Sequence, residues 1–128
     1  MTIKSSQTLV ADALSEIKTI SSSEALELSK ENKCNLIDIR DQVELQKFGT
    51  IENSFHIPRG LLEFSINPES AYVQNNKLDL NKEIVLFCAA GGRSALAAKT
   101  LKEMGFKNVS HVEGGFGLMR QKGFKIKT

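Results

Sequence analysis

A chain of 128 residues, 41% hydrophobic with a formal charge of +2, is most simply one globular domain with a substantial core. Two cysteines and this apolar fraction exclude a disulfide scaffold and a disordered chain, and the scattered basic residues give no footprint for nucleic acid, Arg120, Lys122, Lys125 and Lys127 reading as a solvated helix end. No run approaches the roughly 18 apolar residues of a membrane span, and Met1–Ser6 lacks the features of a signal peptide, so a cytoplasmic protein without a membrane partner is expected.

In residues 8–18, Leu9, Val10, Ala13, Leu14 and Ile17 share one face at helical spacing. This predicts an N-terminal amphipathic helix packed on the domain within residues 1–19, ahead of a unit spanning 20–128. Thr19-Ile20 suits a short edge strand. Ser21-Ser22-Ser23-Glu24 is a capping-box signature for a second helix to about Glu31.

Asn35-Leu36-Ile37-Asp38-Ile39-Arg40 predicts a buried strand with two charges at its end. Buried strands carry charge only where they emerge or are paired. Asp38 and Arg40 therefore mark either a polar network at the sheet edge or a simple ion pair or cap. Cys34 has no activating neighbour and reads as structural. Asp41 is placed to cap a short helix through Gln46, with Glu44 in its first turn and Gly49 closing it. Residues 53–58 read as a short strand stopped by Pro58, in which His56 is a hydrogen-bonded structural residue without metal-ligand spacing around it. Arg59 follows, then a helical turn within residues 60–66. The long polar connection from Asn67 to Asn81 is expected to wall part of a site.

Ile84-Val85-Leu86-Phe87 is a short apolar run of branched and aromatic types, as in a strand covered on both faces. Cys88 stands where that strand ends, the position at which open α/β sheets bind ligands. Ala89-Ala90-Gly91-Gly92-Arg93-Ser94 then forms a small-residue loop opening a helix to Met104 that starts at Arg93 or Ser94. Gly91 and Gly92 can take positive φ, so that successive backbone N–H groups turn inward as an anion cradle. A neighbouring arginine and a helix N-terminus both favour the thiolate, which makes Cys88 a candidate nucleophile. Gly105 stops the helix, residues 109–112 form another strand with His111 at a surface or edge, and Glu113-Gly114-Gly115 is a loop before a last helix from Phe116 to Lys122. The alternation implies an α/β domain, with a central, mainly parallel five-stranded sheet and helices on both faces.

Several separated pieces agree in order and spacing: Leu36-Ile37-Asp38-Ile39-Arg40, Gly49-Thr50-Ile51, His56-Ile57-Pro58, Cys88 through Ser94, Gly105-Phe106, Val109 and Glu113-Gly114-Gly115-Phe116. Over about residues 20–124 the chain resembles the single-domain rhodanese, or thiosulfate sulfurtransferase-like, family. The resemblance implies that Cys88 takes a sulfane sulfur from a small donor such as thiosulfate, becomes a persulfide and passes it to cyanide or a thiol. It implies N–H groups of residues 89–93 around the sulfur, Arg93 holding the loop and favouring an anionic donor, and Ser94 donating to sulfur or fixing the loop. Asp38, Arg40 and Arg59 would support the loop. No cofactor and no metal are implied. Thr50 stands where many relatives have His, Glu52-Asn53-Ser54 replaces a common Pro-Gly-Ala turn, and Gly92 and Met119 replace tryptophans, leaving the pocket mouth less aromatic.

Two rival functions remain open at this point. A cysteine phosphatase or arsenate reductase also uses a Cys-to-Arg cradle, but with five intervening residues where four lie between Cys88 and Arg93. Alternatively the chain is a sulfur-relay carrier or interaction module for a dedicated protein acceptor.

Overall fold

The computed structural model describes residues 2–75 and 77–128. Its centre is a parallel sheet in the order β1-β6-β5-β2-β4, formed by Lys18–Ile20, Val109–Val112, Glu83–Phe87, Cys34–Asp38 and Phe55–His56. A two-stranded antiparallel ribbon pairs β3 (Thr50–Ile51) with β7 (Ile126–Lys127).

The strands of the main sheet alternate sides, which accounts for their apolar composition. Ile84 and Leu86 of β5 join Ile37, Ala97, Ala98 and Leu101 in one buried cluster, whereas Val85 and Phe87 join Leu36, Phe116 and Met119 in the other. The helix α6 (Gly92–Glu103) serves the first face. The helices α2 (Ser22–Lys30) and α7 (Gly115–Gln121) contribute Ala25, Phe116 and Met119 to the second. Each fully buried Leu, Ile or Phe contributes about 1.5–3 kcal/mol. The cluster under α6 continues through Cys88, so the thiol grows out of the core rather than standing on a surface loop.

The remaining helices differ from expectation in instructive ways. The first, α1 (Ser6–Leu14), is capped by the Ser5 hydroxyl and ends four residues before Lys18. The Ser15 hydroxyl donates to the Asp12 carbonyl there, and the chain turns away to lay Lys18 beside Ser110 of β6. Next, α3 (Gln42–Phe48) carries the complete capping box of Asp41 and Glu44 and runs two residues beyond Gln46. A 3-10 turn (Arg59–Leu61) leads into α4 (Leu62–Ser65).

The connection expected to supply part of a site wall is tied down at Asp79, at the end of the sheet opposite Cys88. It forms α5 (Ala71–Gln74), and Asp79 then exchanges two hydrogen bonds with the buried Asn35 amide, Nδ2 donating at 2.7 Å and Oδ1 accepting at 3.3 Å. Asn35 pairs with Ile84 near the amino ends of β2 and β5, the end opposite Cys88. Satisfying a buried amide and seating Leu78 in the core decide the path of this segment.

Candidate active site

The parallel register brings Asp38, His56, Phe87 and Val112 to the same carboxyl edge, because Asp38 pairs with both His56 and Phe87 and Leu86 pairs with His111. Cys88 is the next residue after Phe87 and is 1% exposed. Its Sγ receives the Gly91 N–H at 3.1 Å and the Ser94 N–H at 3.4 Å, and lies 3.5 Å from Ser94 Oγ. Gly91 has φ +115°, the left-handed conformation that turns its N–H inward. Gly92, expected to share that conformation, instead starts α6 and sits beside Val10 of α1. The cradle differs from the expected run of N–H groups from 89 to 93, since the Ser94 N–H is among the donors to sulfur and that of Arg93 is not.

Burial pushes the Cys88 thiol up, but the Ser94 hydroxyl and the N–H groups of Ser94, Gly91 and Ala90 outweigh it and hold the thiol below its usual range. The sulfur is therefore biased towards its nucleophilic form by donors already in place. Cys34, half-buried among apolar residues and near Glu83, is pushed up to about 11 by burial first and by that carboxylate second. The two free cysteines have opposite chemical characters.

Arg93 does not reach for the sulfur. Its Nη1 and Nη2 donate to the two carboxylate oxygens of Glu44 at 2.7 and 3.0 Å, tying α6 to α3. The hydrogen bond from Arg93 holds Glu44 at about 2, against the opposing effect of burial. Glu44, expected only as an acid in the first turn of α3, thereby joins the site. Its Oε1 does receive the Asp41 N–H at 3.1 Å, so one carboxylate caps α3 and anchors Arg93 together.

Asp38 and Arg40 form a network buried to 0% and 1% exposure. Arg40 Nε and Nη2 donate to Asp38 at 3.0 and 2.8 Å, Nη2 also donates to the Gly49 carbonyl, and the Thr50 hydroxyl donates to Asp38 at 2.7 Å. Thr50 thus puts a donor on the aspartate. The Arg40 guanidinium lies 3.9 Å above the Phe116 ring, and the Phe116 N–H donates to the Cys88 carbonyl at 2.8 Å. The network reaches the loop through α7. Gly115 permits this: φ is +56°, and a Cβ there would stand 2.5 Å from the Cys88 carbonyl oxygen.

Arg59 makes its hydrogen bonds away from the loop, to Glu63 at 2.7 Å and to the Thr100 hydroxyl at 3.2 Å in the later turns of α6. His56 bonds the Arg40 carbonyl through Nε2 at 2.7 Å. His111 departs most from expectation. It is 2% exposed, because β1 covers the outer side of β6, and its Nδ1 lies 2.9 Å from Ser94 Oγ while Nε2 lies 3.0 Å from the Thr19 hydroxyl. Burial lowers its pKa, leaving it neutral.

Among the described residues no three His, Cys, Asp or Glu side chains are placed to hold a metal ion, and no helix is long and apolar enough to cross a membrane. A cavity of about 840 Å³ is bounded by Gln42, Thr50, Asn53, His56 and Lys127, and none of its lining residues belongs to the Cys88 loop.

Comparison with known proteins agrees with this geometry. The family model of the rhodanese-like domain matches residues 21–121. A structure from Rhodopseudomonas palustris, a protein of unknown function described as a possible tyrosine phosphatase, is 41% identical with a TM-score of 0.86, covering 99% of this chain and 98% of that one. The polysulfide-sulfur transferase homodimer of Wolinella succinogenes is 34% identical, with a TM-score of 0.73 over 94% of this chain and 85% of that one. "Putative sulfurtransferase YtwF" of Bacillus subtilis is 37% identical over 102 residues, 80% of this chain and 86% of that protein. Several other curated relatives are longer, and the match spans from 21% to 53% of their length. With the model matched across both core clusters and the Cys88 loop, the chain belongs to the rhodanese-like domain family.

Proposed function

We propose that the protein is a sulfurtransferase that carries a sulfane sulfur as a Cys88 persulfide. The observation that carries this reading is the donor set around Sγ, with Gly91 and Ser94 N–H groups at 3.1 and 3.4 Å on a thiol held below its usual range. The Cys88 thiolate attacks the outer sulfur of thiosulfate, forming one S–S bond while the original S–S bond breaks and sulfite leaves with its electron pair. An acceptor nucleophile, cyanide or a thiolate, then attacks the terminal sulfur of the persulfide. Thiocyanate or a new persulfide departs, and the Cys88 thiolate returns. A thiolate nucleophile needs no general base in either step, and the cradle acts by stabilising anionic sulfur in both forms. Arg93, paired with Glu44, holds the loop against α3. The Wolinella protein's name makes polysulfide a second donor class to assay.

The description of the Rhodopseudomonas palustris protein favours a phosphatase reading, and two features weigh against it here. Four residues separate Cys88 from Arg93, and the Arg93 guanidinium is occupied by Glu44 rather than free for a tetrahedral oxyanion. A sulfur atom needs less room than a phosphoryl group in so enclosed a cradle. Steady-state assays separate the two: ping-pong turnover of thiosulfate or polysulfide with cyanide, abolished in Cys88→Ser, is expected. Hydrolysis of an aryl phosphate without sulfur transfer would overturn the assignment. Turnover confined to one copurifying acceptor protein would instead identify a relay carrier.

A further inference from the structure

We propose that His111 and Thr19 are positioning residues for Cys88, joined in a hydrogen-bonded chain that aims the Ser94 hydroxyl proton at the sulfur. This rests on the sulfurtransferase reading and assigns it residues outside the cysteine loop.

The chain runs from the outer strand to the nucleophile. Thr19 Oγ1 lies 3.0 Å from His111 Nε2, His111 Nδ1 lies 2.9 Å from Ser94 Oγ, and Ser94 Oγ lies 3.5 Å from Cys88 Sγ. The register makes this possible, since Thr19 pairs with His111 and His111 with Leu86, whose side of the sheet Cys88 shares. Thr19 is exposed, whereas Ser94 and His111 are buried to 0% and 2%.

Ser94 has a single hydroxyl proton and three neighbours that could receive it. They are the Cys88 thiolate, the Gly91 carbonyl at 3.2 Å and, if unprotonated, His111 Nδ1. A neutral imidazole donates from one nitrogen and accepts at the other. When Thr19 donates to Nε2, the ring proton must sit on Nδ1 and point at Ser94 Oγ. Ser94 then accepts from the ring, and its own proton is released towards sulfur. The opposite tautomer draws the Ser94 proton to the ring and strips the thiolate of its hydroxyl donor. A neutral His111 is needed for this role, and burial keeps it so. The groups facing it are Ser94 of α6, Thr19 of β1, the Cys88 sulfur beyond Ser94, and Glu113 at the end of its own strand.

The test is a thiolate titration of Cys88 by ultraviolet absorbance in a Cys34→Ser background, with alkylation rates alongside. It needs no sulfur donor, so its failure is distinguishable from failure of the proposed reaction. In His111→Leu the thiol should titrate about one unit higher, a roughly tenfold smaller thiolate fraction below the pKa. Ser94→Ala should shift it similarly, and the double variant no further than the larger single shift. His111→Asn, whose amide can still donate to Ser94, should recover most of the thiolate. Thr19→Val, a change at an exposed position, should raise the thiol pKa in the same direction and keeps the proposal falsifiable if His111→Leu does not fold. A folded His111→Leu or Thr19→Val that titrates like the parent, or additive shifts with Ser94→Ala, would overturn it.

Discussion

Both nitrogens of the Arg93 fork rest on both carboxylate oxygens of Glu44, 49 positions earlier in the chain. This one contact fixes the start of α6, and with it the Cys88 loop, against the start of α3. Glu44 is held at about 2, below an unfolded value near 4.3. Its contribution is therefore complete above about pH 4.3 and is lost as the pH falls through about 2. Glu44→Gln keeps the cap to Asp41 but loses the charge. Discounted for the 40% exposure of the Arg93 side chain, the loss should be about 0.2–1 kcal/mol at pH 7. Thermal unfolding of both proteins across pH checks this, and a difference that persisted undiminished at pH 2 would contradict the pairing.

The buried pair of Asp38 and Arg40 should be far costlier to break. Arg40→Met strands a carboxylate that is 0% exposed with only the Thr50 hydroxyl and a backbone N–H as donors. Loss of one partner of such a pair costs about 3–5 kcal/mol. Urea unfolding should give that figure, and the double variant Asp38→Asn, Arg40→Met should recover part of it. A loss below about 1 kcal/mol in the single variant would place the pair outside the folding core.

Gly115→Ala should loosen the cysteine loop from behind. Its Cβ cannot coexist with a carbonyl oxygen 2.5 Å away, and φ +56° is strained for alanine. The start of α7 must draw back, weakening the Phe116 N–H bond to the Cys88 carbonyl. A destabilisation of about 1–3 kcal/mol is expected, with slower alkylation of Cys88. Gly60→Ala is the control, since nothing lies within 4 Å of its Cβ. Equal melting shifts in the two variants would contradict the close approach.

Cys34 and Cys88 should part company in labelling as in acidity. With Cys34 pushed up to about 11 and Cys88 held low, sulfur from thiosulfate or polysulfide should accumulate on Cys88 alone near neutral pH. Peptide mapping of the sulfur-loaded protein reads this directly, and Cys34→Ser should turn over at the parent rate.

The strands β2, β5 and β6 and the helix α6 were legible from local patterns. Short runs built around branched apolar residues, a small-residue loop and a glycine stop specify them without knowledge of their neighbours. Cys88 was legible for the same reason, because the chemistry of its loop lies within seven consecutive residues. The partners of that loop were not. Glu44 stands in the first turn of a helix, where the macrodipole favours an acid, which accounts for it before any second role is suspected. His111 sits in a four-residue strand whose exposure is decided by β1, a three-residue strand from the other end of the chain. Gly92 takes helical geometry as the first residue of α6, and the path of the later connection at Asp79 answers to a distant requirement, the buried Asn35 amide.

Intact-mass analysis of the protein after brief exposure to thiosulfate or polysulfide, followed by cyanide, tests the central claim most directly. The account predicts a gain of the mass of one sulfur atom, confined to Cys88, absent in Cys88→Ser and discharged by cyanide as thiocyanate. A protein that stayed at its starting mass with every sulfane donor, or that gained sulfur equally in Cys88→Ser, would contradict it.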